Sequence, residues 1–225
     1  MFEEPVKIVC GSFSLEGIMG WPEGRGPFGA VAVCHPHPLY GGSMHNNVVL
    51  AVCQALNQAS LVTLRFNFRG VGKSGGTFGD GEAEQEDVQE ALSFLTVTDG
   101  VDRNRIGLAG YSFGARVALA EAAEDDRVQA LAVISLPLSD PVPPSSLEGF
   151  VKPRLFLCGD QDEFVSAQDL KEWVGMLPSP RWFVAVPGAD HFWGEHEAEV
   201  AQMVTDFFVS YLAGSGHPKS GPRTA

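Results

Sequence analysis

The chain of 225 residues carries 28 acidic and 15 basic side chains, a formal charge of −13, with 44% hydrophobic and 19% charged residues. That composition supports one sizeable core, and its acidity disfavours nucleic acid or an anionic lipid surface as a partner. No run reaches the ~18 apolar residues of a membrane span, and the acidic start MFEEP lacks the basic and apolar regions of a signal peptide, so a cytoplasmic location is expected.

In chain order, Val6–Cys10 and Leu15–Met19 read as two short strands that pair ahead of the main body. Ala30–Cys34 is a short buried strand, and residues 46–58 form a helix with Val48, Leu50, Val52 and Leu56 on its apolar side. Leu61–Phe66 is the next strand, followed by a helix over 84–97 with Val88, Ala91, Leu92 and Leu95 at helical spacing. A strand at Ile106–Ala109 leads into a helix over 115–123. Strands follow within 128–136 and at 154–158, then a helix over 167–177, a strand over 181–186 and a last helix over 195–213. This β-α alternation predicts an α/β fold with a mostly parallel central sheet of about seven or eight strands and helices on both faces. Residues 1–213 are expected to form a single domain. The polar tail 214–225 (GSGHPKSGPRTA) is expected to be disordered.

Cys10, Cys34, Cys53 and Cys158 are widely spaced, contain no C-x-x-C pair and sit among apolar neighbours, so they read as reduced core thiols. A disulfide or zinc site is the minor alternative.

The strongest chemical signal is Gly110-Tyr111-Ser112-Phe113-Gly114, a G-x-S-x-G between a strand and a helix. A nucleophile lifted clear of a sheet needs a sharp strand-to-helix turn, and side chains two residues either side would collide there. Ser112 is therefore the candidate nucleophile, with the following helix aiming its N-terminus at the oxyanion. A serine hydroxyl needs a base, and the base an orienting carboxylate. Two later strands end in polar turns, GDQDEFV at 159–165 and GADHFW at 188–193, at the sheet edge where open α/β folds build sites. Asp162 is the preferred carboxylate and His191 the preferred base. Asp160 is expected to brace its turn, Glu163 to face solvent, and Asp140 lies in a proline-rich loop. His196 falls at the last helix, His217 in the tail, and His35, His37 and His45 precede the nucleophile.

The loop HPHPLYGGSMHNN at 35–47 follows a strand and precedes a helix, the place of a second oxyanion donor. Pro36 and Pro38 have no N–H, so Leu39 or Tyr40 is expected to act with the N–H of Phe113. Asn46 or Asn47 can cap the next helix. Metal binding by His35, His37 and His45 is disfavoured, because no carboxylate or cysteine set completes the coordination; the histidines are expected to hold the loop's shape. A second segment, NFRGVGKS at 67–74, imitates a phosphate loop but starts with Asn67 rather than glycine and does not open a helix.

The stretches HPHPLYGGSMHNN (35–47), FNFRGVGKSGGTFGDGEAEQED (66–87) and GYSFG (110–114) together resemble the α/β-hydrolase superfamily over residues 5–212, and within it a group of small bacterial hydrolases without a lid domain. The resemblance implies a Ser-Asp-His esterase on Ser112, Asp162 and His191, with no metal or organic cofactor. Only residues 137–153 separate the strands between which larger relatives insert a cap. An open site and short-acyl, small-molecule esters are therefore expected, with Tyr40, Met44, Phe113, Phe164, Phe192 and Trp193 as pocket walls. A thioesterase, amidase or peptidase using the same residues is the alternative, and a non-catalytic interaction protein a remote one.

Overall fold

The computed structural model describes residues 1–139 and 142–213. Two expectations, those for Asp140 and for the tail with His217, lie outside the described residues.

An eight-stranded sheet runs in the order β1-β2-β4-β3-β5-β6-β7-β8. Its strands are β1 (Phe2–Cys10), β2 (Phe13–Trp21), β3 (Phe28–Cys34), β4 (Val62–Phe66), β5 (Val101–Tyr111), β6 (Val128–Ile134), β7 (Arg154–Gly159) and β8 (Arg181–Val186). The first hairpin joins β1 to β2, and β2 lies antiparallel to β4; from β4 to β8 every pairing is parallel. The helices are α1 (Asn47–Gln58), α2 (Ala83–Val97), α3 (Phe113–Glu124), α4 (Ala167–Gly175) and α5 (Glu197–Leu212). The elements follow the expected alternation, and β1 and β5 extend further than apolar content alone indicates. Register supplies the reason: β1 pairs along its whole length with β2, so its exposed charged residues are held by the ladder and not by burial.

Strand alternation feeds two cores. Ala30, Ala32 and Cys34 of β3 face the side covered by α2, α3 and α4, while Val31 and Val33 face the side covered by α1 and α5. Side chains of period two with both faces buried give an unbroken apolar run, as in the segment FGAVAVC. All four cysteines are free and buried in these layers. Burial pushes the thiols of Cys53 and Cys158 up to about 12, so neither is a ready nucleophile.

The chain moves from β3 through α1 to β4 on one side, then returns through α2 to β5 on the other side of β3. The connections leaving β3 and β5 thus diverge to opposite faces, the arrangement that in open α/β sheets forms a crevice at the carboxyl ends of the strands. Among the described residues, the stretch between β6 and β7 builds no cap. It holds one 3-10 turn (Pro144–Leu147), and Leu147 and Phe150 are buried in the α2–α4 core. The guanidinium of buried Arg154, at the start of β7, stacks 5.2 Å from the Phe150 ring and donates to the carbonyl of Pro178. Phe150 is thereby held at the amino end of β7.

One buried carboxyl couples the fold to pH. Glu121 lies on the inner side of α3; burial, reinforced by the charge of Asp125, raises its pKa from 4.5 to about 7 against the pull of Arg127. Between those values the folded chain holds a proton that the unfolded chain has released. Stability should therefore fall as pH rises through this window and level off above it. Glu121→Gln is expected to raise stability at pH 8 by on the order of 1–2 kcal/mol and to leave it unchanged at pH 4. Urea unfolding of both proteins across this range checks the sign.

Candidate active site

The turn from β5 into α3 is built by close approach. Ser112 takes φ 55° and ψ −118°, a strained backbone for a residue with a side chain, and its N–H is tied to the Ile134 carbonyl at 2.8 Å. A methyl group on Gly110 would run into the carbonyl of Gly114, and one on Gly114 would sit 2.5 Å from the carbonyl oxygen of His35 and 2.6 Å from that of Cys34. Only glycine fits at both positions.

The three side chains put forward by the sequence meet here. Ser112 Oγ lies 3.0 Å from His191 Nε2. His191 Nδ1 lies 2.9 and 2.8 Å from the two carboxylate oxygens of Asp162. The Asp162 carboxylate is fully buried and also accepts the N–H groups of Phe164 and Val165, each at 2.9 Å. A carboxylate held by three donors has one orientation. It fixes the imidazole with Nδ1 protonated and Nε2 free to accept the serine proton. Asp160 instead accepts the Gly188 N–H at 2.7 Å and braces the neighbouring turn, and Glu163 is exposed. His45 is exposed, and His196 sits at the start of α5 against Glu199 at 3.0 Å.

The loop after β3 is rigid. His35 is fully buried; its Nε2 accepts the Phe68 N–H at 3.0 Å, so Nδ1 carries the proton and donates to the Pro36 carbonyl at 2.6 Å. Burial pushes its pKa down to about 4, which keeps it neutral. Both ring nitrogens are occupied by the protein and neither is open to a metal. Asn46 caps α1 by accepting the Val48 N–H at 3.0 Å. Asn47 reaches across the crevice to the Phe192 carbonyl at 3.1 Å and the Glu197 carboxylate at 2.9 Å.

Two expectations for this region are corrected. The N–H groups of Leu39 and Tyr40 are both used inside the loop, donating to His37 Nδ1 at 3.2 Å and to the His37 carbonyl at 3.1 Å. The loop folds back on itself, so both N–H groups already have acceptors within it. The N–H of His37 itself has no acceptor among the described residues, and its ring packs 4.9 Å from that of Phe113. Trp193 is no pocket wall: it is fully buried, and its indole N–H donates to Ser135 Oγ at 3.1 Å, anchoring the His191 turn from beneath. Met44 is interior as well, with its N–H on Asn67 Oδ1 at 2.8 Å, and Phe113 is buried in the core. Tyr40, Phe164 and Phe192 remain at the surface, 87%, 63% and 60% exposed.

The phosphate-loop look-alike is occupied from within. Glu16 lays its carboxylate against the Asn67 side-chain amide at 3.0 Å and the Lys73 N–H at 2.9 Å, while Ser74 Oγ donates to the Asn67 carbonyl at 2.7 Å. An internal anion takes the donors that a phosphate would need.

A family profile described as an alpha/beta hydrolase domain matches residues 36–205. The chain belongs to this family. An uncharacterized protein of Rickettsia prowazekii is 31% identical over 82% of the hydrolase and 80% of its own length. A solved alpha-beta serine hydrolase homologue from Coxiella burnetii is 36% identical, covers 92% of this chain and 97% of its own, and superposes with a TM-score of 0.82. A serine hydrolase without lid from Xanthomonas campestris is 31% identical, covers 92% and 93%, and has a TM-score of 0.78. No helix among the described residues of the hydrolase is long and apolar enough to cross a membrane.

Sequence reasoning missed Tyr111. Its buried hydroxyl donates to the His191 carbonyl at 2.6 Å. The position is one of the two variable ones of G-x-S-x-G, so the motif is silent about it. The alternation of β5 does place it with Ala109 on the α1–α5 side, where the His191 turn lands. The bond fastens the base's turn to the strand that carries the serine. Tyr111→Phe should leave the fold intact and lower kcat by about tenfold, since a base displaced by a fraction of an ångström loses alignment. Steady-state kinetics beside a thermal melt would check this; an unchanged kcat would remove the positioning role.

Proposed function

We propose that this hydrolase is a carboxylesterase acting on small, short-acyl esters. The observation that carries the reading is the hydrogen-bonded series Ser112–His191–Asp162 at the crevice between β3 and β5. In this reading Ser112 Oγ attacks the ester carbonyl carbon as its proton passes to His191 Nε2. Asp162 holds the imidazole and stabilises its charged form. The N–H of Phe113, at the positive end of α3, and the N–H of His37 face the developing oxyanion. His191 returns the proton to the departing alkoxide as the carbon–oxygen bond breaks, leaving an acyl-serine and free alcohol. Water then enters by the same route and releases the acid. No step calls for a cofactor.

The preference for short acyl groups rests on residues 142–153, whose Leu147 and Phe150 are buried in the α2–α4 core and so give no cover to an acyl chain. An acyl chain beyond a few carbons would have little protein to cover it, and uncovered methylenes contribute no binding energy.

Nitrophenyl acetate, butyrate and palmitate would be compared for the wild type and for Ser112→Ala, Asp162→Asn and Asp160→Asn. Ser112→Ala is expected to lose at least about 10⁴-fold in kcat, and Asp162→Asn about 10³–10⁴-fold. Asp160→Asn should stay within several-fold of wild type. A fluorophosphonate probe should modify Ser112 alone. Equal turnover in the Ser112 variant would end the esterase reading, and faster turnover of palmitate would end the short-acyl reading. The thioester and amide of the same acid, assayed alongside, place oxygen esters first or displace them.

A further inference from the structure

The surface beside His191 carries two large apolar side chains that the core does not use. Phe164 and Phe192 are each about three-fifths exposed and meet edge to face, with centroids 6.1 Å apart. Both also flank the base: the His191 ring lies 4.8 Å from Phe164 and 5.8 Å from Phe192. Neither ring stands on a loose loop. The Phe164 N–H is held at 2.9 Å by the buried carboxylate of Asp162. The Phe192 N–H is held at 3.0 Å by Asp190, and its carbonyl at 3.1 Å by Asn47. A polar side chain at either position would satisfy the same backbone bonds and cost nothing in water. Two exposed rings on clamped turns form a preorganised apolar shelf.

The shelf's position says which part of a substrate it meets. The second aromatic group, His37, Phe78 and Phe113, gathers on the oxyanion side, with His37 centroids 5.3 and 4.9 Å from the other two. His191 Nε2, by contrast, faces the bond that breaks, because it must hand its proton to the leaving oxygen. We propose that Phe164 and Phe192 form the leaving-group subsite of the hydrolase and select esters whose alcohol carries an aromatic or similarly flat apolar ring. The proposal deepens the esterase reading and rests on it. The reaction is balanced within the site. The Ser112 Oγ–carbon bond forms and the carbon–oxygen bond to the alcohol breaks. The serine proton, carried on Nε2, leaves on that alcohol oxygen, and the released ring slides off a surface open to water.

The test varies one end of the ester at a time. Ethyl and benzyl acetate share an acyl group and have alcohols of similar acidity, so kcat/KM, which reports acylation, isolates the leaving group. Ethyl acetate and ethyl phenylacetate move the ring to the acyl end. Wild type is expected to prefer benzyl over ethyl acetate by about tenfold or more, the discrimination available to an apolar subsite. Phe164→Ala and Phe192→Ala, made separately, should each reduce that ratio several-fold and weaken inhibition by benzyl alcohol. The phenylacetate-to-acetate ratio should stay within about twofold. Phe164→Leu should keep part of the preference. No benzyl preference in wild type would overturn the shelf while Ser112-dependent hydrolysis upholds the esterase reading. A shift in the acyl ratio instead of the alcohol ratio would assign the rings to the other end and also overturn it. If no ester is hydrolysed through Ser112, both readings fall together.

Discussion

The architecture turns on one close approach: Gly114, in the first turn of α3, lies against the carbonyls of Cys34 and His35 at the end of β3. A methyl group there would push the β5–α3 turn away from the β3 loop. Because it is absent, the two connections leave the sheet side by side before diverging to opposite faces. The strained Ser112 then stands beside the end of β3, within hydrogen-bond reach of His191. The strain persists because the turn is over-determined. The Ser112 N–H is bound to β6, the glycines exclude any other course, and α3 is locked into its core by residues such as Val117, Ala118 and Leu119.

Around that turn the site is held by short backbone clamps. Asp162 accepts from its own turn and from the imidazole; Asp190 and Asn47 fasten the residue after His191; Tyr111 and Trp193 tie the same turn to β5 and to Ser135. The bonds of Tyr111 and Trp193 are buried, where an unmade bond would leave a polar group unsatisfied. They replace the covering that a cap would otherwise provide. Rigidity comes from below while the approach stays open, and the exposed rings of Phe164 and Phe192 are carried by the same clamped turns that hold the base. A site of this build changes little on meeting its substrate, so its selectivity lies in the shape already present.

Much of this was legible in the sequence, for reasons local to the chain. Apolar runs of period two and helical stripes such as Val88, Ala91, Leu92 and Leu95 require a sheet covered on both faces, whatever else surrounds them. Gly110 and Gly114 around Ser112 report a turn that tolerates no other residue. Asp162 and His191 follow strands by a few residues, which places them at the sheet's carboxyl edge. Asp160, nearer the strand end, braces the neighbouring turn through its bond to Gly188.

What the chain order could not carry depends on partners distant in sequence. Leu39 and Tyr40 look available as donors until His37 folds back and takes both N–H groups. Trp193 and Phe192 are adjacent aromatic residues of equal promise, yet the turn sends one to Ser135 in the core and the other to solvent. The phosphate-loop imitation is decided by Glu16, some fifty residues earlier, and the hold of Tyr111 on His191 spans 80 residues of chain. Periodicity and glycine placement, acting over a few residues, determined the fold class and the three side chains of the candidate site. Only the tertiary structure decided which N–H groups remain free and which rings face water, because those outcomes are contests between bonding partners that the chain brings together only when folded.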